Sequence, residues 1–100
     1  IEKKNFLERA IVVMGDFNSE PNEAPIKKLS EWLNDSFYEF PIEEAQGTFN
    51  GFDIKSKLRK RIDYIFTKNI QISNYTHVME RLSSGLWPSD HLPIVISFSF

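Results

Sequence analysis

The chain contains no cysteine. That absence excludes a disulfide framework, a thiolate metal site and a cysteine nucleophile, and it leaves the redox compartment open. Glycine is scarce at four residues in 100 and proline supplies five, so neither a flexible low-complexity linker nor a collagen-like repeat fits. No excess of one charge exists either. Twelve Lys and Arg stand against fourteen Asp and Glu, a net charge of −2, which gives no general basic surface for a nucleic-acid backbone. Any polyanion site has to be local. No apolar run approaches the roughly 20 residues of a membrane span, and no charged stretch followed by an apolar one marks a signal peptide. The expectation is a soluble chain. It begins Ile1-Glu2-Lys3-Lys4 and reaches strand-like sequence within ten residues, so the true amino terminus is expected upstream, with bacterial cytoplasm and export both open as locations.

What is present is a globular composition: 41% hydrophobic, 26% charged, and nine Phe, enough for one core in a single small domain. Residues 10–14 form an unbroken, branched apolar run that reads as a central strand buried on both faces and ended by Gly15. Ile26, Leu29, Trp32 and Leu33 then recur at helical spacing, with Asn22 as the expected cap and Pro25 in the first turn. Residues 61–66 alternate, placing Ile62, Tyr64 and Phe66 on one face and Arg61, Asp63 and Ile65 on the other. A further strand is expected within residues 70–79. Another is expected over residues 92–100, where Pro93 suits the start. Residues 48–52 are a candidate short strand. One helix and four or five strands suggest an α/β (α+β) layer whose helix covers one face of the sheet. The other face is left apolar and needs a cover.

Asp16 and Asn18 follow the first strand directly, at its carboxyl end, where α/β sheets place ligand-binding groups. Gly-Asp and Asn-Ser are also ordinary turn chemistry. Asp63 interrupts an apolar strand, and a buried carboxylate has to be paired or hydrogen-bonded. Two partners present themselves: Arg61, two residues away, or an imidazole that Asp63 would orient. The candidate imidazole is His91, beside Asp90 and just before the last strand. A carboxylate on one ring nitrogen would fix its orientation, favour its protonated form and leave the other nitrogen for substrate.

The segments Met14-Gly15-Asp16-Phe17-Asn18-Ser19, Arg61-Ile62-Asp63-Tyr64-Ile65-Phe66 and Ser89-Asp90-His91-Leu92-Pro93-Ile94 occur in that order. Together they resemble three signatures of the endonuclease/exonuclease/phosphatase (DNase I-like) superfamily. The resemblance runs from Ala10 to the end of the chain. It implies a four-layer α/β/β/α sandwich of two similar halves, of which residues 1–100 would be one partial domain, the carboxy-terminal half. It also implies a divalent-metal-dependent phosphoester hydrolase, a phosphodiesterase, nuclease or phosphatase. In that reading Asp16 orients or deprotonates the attacking water and Asn18 hydrogen-bonds the phosphoryl group. Asp90 helps hold Mg²⁺ or Mn²⁺, with Ca²⁺ a further candidate, and His91 with Asp63 stabilises charge on the phosphate oxygens. Oxygen ligands without thiolates agree with such hard ions.

The resemblance also brings Thr48 and Phe49 to a substrate pocket, Thr48 as a phosphate donor and Phe49 as a stacking surface. A Gly-bounded strand with a core Phe is the equal alternative. Arg61 is either a phosphate ligand or the partner of Asp63. Lys55, Lys57, Arg59, Lys60 and Arg61 form a basic cluster that either guides phosphates or is a solvated loop. Trp87 either overhangs the site or plugs a loop into the core, and His77 reads as a surface or packing residue. The superfamily's chief metal-binding Glu belongs to its first half and matches no motif here, so these 100 residues alone are expected to be inactive. The expected partners are a phosphate ester (nucleic acid, phospholipid head group or small phosphate) and the missing amino-terminal half, or a second copy bound through the sheet face. A non-catalytic or truncated module serving as a binding scaffold is the alternative.

Overall fold

The computed structural model describes residues 9–40, 47–53, 55, 58 and 60–99. Its elements in order are β1 (Ile11–Asp16), α1 (Ala24–Ser30), β2 (Asn34–Asp35), a 3₁₀ turn (Ser36–Glu39), β3 (Asp63–Lys68), β4 (Gln71–His77) and β5 (Ile94–Ser99). Every strand pairing is antiparallel, and the strands divide into a sheet of order β1-β3-β2 and a β4-β5 pair. Among the described residues α1 is the one α-helix, so the fold is α/β with a mainly antiparallel sheet, as the sequence suggests.

The central strand is β3, not β1. Four consecutive residues of β3, from Tyr64 to Thr67, are buried because strands pair along both of its edges and α1 covers one face. Among the described strands β1 stands at the sheet's edge, and its Met14 is 64% exposed, so its continuous apolar run is buried less than its composition suggests. The core under α1 consists of Ile26, Leu33, Tyr64 and Phe66, joined by half-buried Val13, Phe17 and Leu29. Phe17 meets Tyr64 and Phe66 with ring centroids 5.8 and 5.9 Å apart, in the tilted and edge-on arrangements that aromatic quadrupoles favour.

The helix starts one residue later than an Asn22 cap requires. Glu23 is the N-cap, with extended backbone and no side-chain cap bond, and its carboxylate accepts from the Glu20 amide instead. Pro25 lies in the first turn, where a missing amide donor removes no helical bond. The helix ends at Ser30, and Trp32, expected on the core stripe, is 42% exposed while Leu33 reaches the core.

Residues 48–52 form no full strand, but Phe49 makes bridges to both Lys60 and His91. Gly47 is required beside this segment because a Cβ there would collide with the Leu58 carbonyl, to which the Gly47 amide is bonded. Strand β5 begins just after Pro93; Phe100, included in the expected strand, lies outside the described residues.

Candidate active site

The register of β1 against β3 builds the first part of the site. Asp16, the last residue of β1, pairs directly with Asp63, the first residue of β3, so two carboxylates share one end of the sheet and one face. Gly15 adopts φ +149°, a backbone that residues with a Cβ rarely take, immediately before Asp16. Asn18, with φ +49°, then turns the chain back so that its amide donates to Asp16 Oδ1 at 2.8 Å. Asn is among the residues that accept this left-handed conformation most readily. The turn reading and the ligand reading of this segment therefore coexist: Oδ1 of Asp16 holds the turn, while Oδ2 faces His91.

His91 arrives from the loop before β5. Its Nδ1 lies 2.8 Å from Asp63 Oδ2, and its Nε2 lies 3.7 Å from Asp16 Oδ2 and 4.0 Å from Asp90 Oδ1. An ionised carboxylate only accepts, so Nδ1 carries the proton shared with Asp63 and Nε2 is the outward nitrogen. The hydrogen bond to Asp63 raises the His91 pKa above its usual 6.5; partial burial opposes this, and the fields of Asp63, Asp16 and Asp90 add to it. The imidazole edge is backed by Phe49, whose ring centroid is 5.2 Å away at 71°. Ser89 Oγ accepts the His91 amide at 3.3 Å, closing the short turn that presents the ring.

These groups border a cleft of about 360 Å³ whose walls include Met14, Asp16, Asp63, Ile65, His91 and Ile94. Ligand atoms of Asp16, Asp63 and His91 all lie within 4.8 Å of one another. The Asp63–His91 hydrogen bond engages Asp63 Oδ2, and Asp90 Oδ1 lies 4.0 Å from His91 Nε2 at the margin of the cluster, so the donors gathered here for a cation are carboxylate oxygens. Their hard character suits Mg²⁺, Mn²⁺ or Ca²⁺.

Arg61 is not part of this cluster, and it does not pair with Asp63. Its guanidinium makes a two-point contact with Asp35, 3.1 Å from Nη1 to Oδ1 and 2.7 Å from Nη2 to Oδ2, with side-chain exposures of 5% and 4%. The rings of Phe37 and Tyr64 cover it at 4.2 and 4.6 Å. The reason is local: β3 begins at Asp63, so the strict alternation expected from residue 61 stops there and Arg61 swings to the Tyr64 face. The Tyr64 hydroxyl sits between the Ser19 and Arg61 carbonyls, 2.7 and 2.9 Å away, with one proton to share between them. A buried, fully paired Arg61 cannot serve as a phosphate ligand.

Thr48 is also displaced from its expected role. It is fully buried, and its hydroxyl oxygen accepts from the amides of Ile62 and Asp63 at 3.1 and 3.2 Å. Phe49 backs His91 instead of presenting a free face. Trp87 plugs into a second core cluster with Leu58 and Leu92, its Nε1 donating to the Asp53 carbonyl at 3.0 Å. His77 is buried against Tyr75 Oη at 2.8 Å, a packing role. Of the basic cluster, Lys55 and Lys60 are exposed, Arg61 is internal, and Lys57 and Arg59 lie outside the described residues.

Two contributors went unread in the sequence. Asp35 was invisible because its partner lies 26 residues away. Asn50, buried at 4% exposure, donates its Nδ2 to the Ser89 carbonyl at 2.9 Å, while its amide donates to the Asp90 carbonyl at 2.8 Å. A buried Asn between Phe49 and Gly51 is the signal that could have exposed it, since such an amide needs specific partners.

The sequence profile of the Endonuclease/Exonuclease/phosphatase family matches residues 2–91. The chain belongs to this family. Among solved structures, a conserved protein of unknown function from Enterococcus faecalis V583 is similar at 26% identity and a TM-score of 0.85, with 94% of this chain and 38% of that one covered. A mannosyl-6-phosphatase of Bacteroides thetaiotaomicron VPI-5482 aligns at 24% identity and TM-score 0.79, covering 100% of this chain and 48% of that one. An endonuclease/exonuclease/phosphatase family protein from Bacteroides thetaiotaomicron aligns at 23% and 0.77, covering 98% and 46%. These last two establish the endonuclease/exonuclease/phosphatase fold alone. The chain thus spans less than half the length of each of these three structures. No curated protein sequence matches it.

Proposed function

We propose that these residues form the carboxy-terminal half of the active site of a divalent-metal-dependent phosphoester hydrolase. The observation that carries this reading is the Asp63–His91–Asp16 arrangement, in which one imidazole is oriented by one carboxylate and flanked by another at a shared strand end. Such an arrangement supplies what water attack on phosphorus needs: a base for the water, donors for the phosphate oxygens, and fixed orientation.

In this reading Asp16 uses Oδ2 to position the attacking water and take its proton, since Oδ1 is committed to the Asn18 amide. Asn18 hydrogen-bonds a phosphoryl oxygen from its exposed turn. His91, held by Asp63 and favoured in its protonated form, donates from Nε2 to the phosphate oxygens on which charge accumulates. Asp90, with Asp16 beside it, would hold Mg²⁺ or Mn²⁺. When bound, the ion would polarise the phosphoryl group as a Lewis acid. Asp63 remains a positioning group because its Oδ2 is engaged with the ring.

A small phosphate ester suits the surface better than a nucleic-acid backbone. The net charge is −2, and Arg61, the cation within the second motif, is withdrawn into the core. That one similar fold belongs to a mannosyl-6-phosphatase is compatible with a sugar phosphate. The remaining half of the site is proposed to come from the family's amino-terminal half, packing against the cleft wall that Met14 and Ile94 line.

The test is hydrolysis of p-nitrophenyl phosphate and its bis ester by the full-length protein. Activity is expected to vanish with EDTA and return with Mg²⁺ or Mn²⁺. Hydrolysis unaffected by EDTA would sink the metal requirement, and no hydrolysis of any phosphoester tried would favour a binding scaffold.

A further inference from the structure

We infer that Thr48 is a positioning residue that fixes Asp63 and His91 relative to each other, an inference that rests on the role proposed for that couple. Asp63 and His91 are 28 residues apart in sequence and sit on different elements, β3 and the loop before β5. A 2.8 Å hydrogen bond between them survives only if their backbones are held in register. Thr48 is bonded to Asp63 and to the residue that follows His91. Its hydroxyl oxygen accepts from the Asp63 amide at 3.2 Å and the Ile62 amide at 3.1 Å, at the residue where β3 begins. Its carbonyl accepts the Leu92 amide at 2.7 Å, the residue that follows His91.

The neighbours of Thr48 extend the same splint. The Thr48 amide donates to the Lys60 carbonyl at 2.8 Å, and Phe49 bridges Lys60 on one side and His91 on the other. Burial excludes solvent from these bonds, because Thr48 is fully enclosed. Two amides converge on a single oxygen, so no apolar residue of the same shape reproduces the contact. A hydroxyl this deep and already serving two donors is placed for holding backbone, not for reaching a phosphate in the cleft.

The experiment compares Thr48→Val, which keeps the shape and loses the acceptor, with Thr48→Ser, which keeps the acceptor. It is done in the full-length protein. The first readout is the downfield ¹H resonance of the His91 Nδ1–H, recorded without metal so that it reports the Asp63 bond and nothing about turnover. The wild type and Thr48→Ser are expected to show it, and Thr48→Val to lose it. The second readout is steady-state hydrolysis: kcat falls roughly 10- to 100-fold in Thr48→Val, the range for outer groups that orient a site, with KM little changed. Thr48→Ser restores most of it.

A Thr48→Val protein that keeps the resonance and raises KM alone would overturn the inference and make Thr48 a substrate contact. If Thr48→Val does not fold, Thr48→Ser decides: loss of the resonance in a folded Thr48→Ser protein overturns the inference, and its retention with near-normal kcat supports it. The proposed role of the couple fails separately, through full activity in His91→Ala, which leaves the resonance test in the wild type and the Thr48 variants intact.

Discussion

Replacing Asp35 with Ala should destabilise the protein more than any single change at the active site. Arg61 and Asp35 have side-chain exposures of 5% and 4% and form two short contacts, so removal of Asp35 leaves a guanidinium enclosed without its counter-charge. It cannot escape by losing its proton. In the wild type burial works against the charged form, and the Asp35 hydrogen bond and field outweigh it; in Asp35→Ala that support is lost, and the extreme intrinsic value of a guanidinium alone keeps the group charged. Breaking such a pair from one side costs about 3–5 kcal/mol. The same carboxylate caps the 3₁₀ turn by accepting the Phe37 amide at 3.2 Å, which adds about 1 kcal/mol. Against a total stability of about 5–15 kcal/mol, this is a large share. Urea unfolding followed by circular dichroism measures it directly: with a slope of about 1–3 kcal/mol/M, the midpoint falls by at least about 1 M. The double variant Asp35→Leu, Arg61→Met removes both charges and should recover most of the loss. A loss below about 1 kcal/mol in Asp35→Ala would refute the buried-pair account.

Two further outcomes are expected. In metal-free protein, NMR titration should place His91 above the usual 6.5, and Asp63→Asn should bring it down. The raised folded-state value contributes stability that is fully present below 6.5 and is lost as pH rises through the folded value, so Asp63→Asn should destabilise more near pH 6 than near pH 9; a loss independent of pH would contradict the ion-pair geometry. The 100 residues expressed alone should self-associate through the apolar wall around Met14 and Ile94, and a clean monomer by light scattering would contradict the account of a missing cover.

Local chemistry was the legible part of this protein. The branched run before Gly15 marked β1 and the alternation around Asp63 marked β3; Asp16 and His91 were placed at strand ends, whereas Asp63 was read inside its strand and proves to begin it. Position within the sheet was not legible. The apolar run of β1 resembles a central strand, yet the pairing order makes β3 the central one, and only three-dimensional neighbours decide that. The cap of α1 was misread because Asn22 has the stronger propensity, while Glu23 takes the position with Pro25 fixing the first turn. Long-range polar pairing was the main blind spot. Arg61 had an acidic residue two positions away, but strand geometry ends at Asp63, and the partner it finds is Asp35. Thr48 was read by its likeness to a substrate contact, whereas its depth turns the same hydroxyl toward the backbone of Asp63.

The most direct test of the central claim is the turnover of a phosphoester by the full-length protein carrying His91→Ala, compared with the wild type under saturating Mg²⁺. If His91, oriented by Asp63, stabilises charge that develops on the phosphate oxygens, kcat should fall by roughly 10²–10³ with intact folding, as removal of one such donor does. Equal turnover in the two proteins would contradict the account.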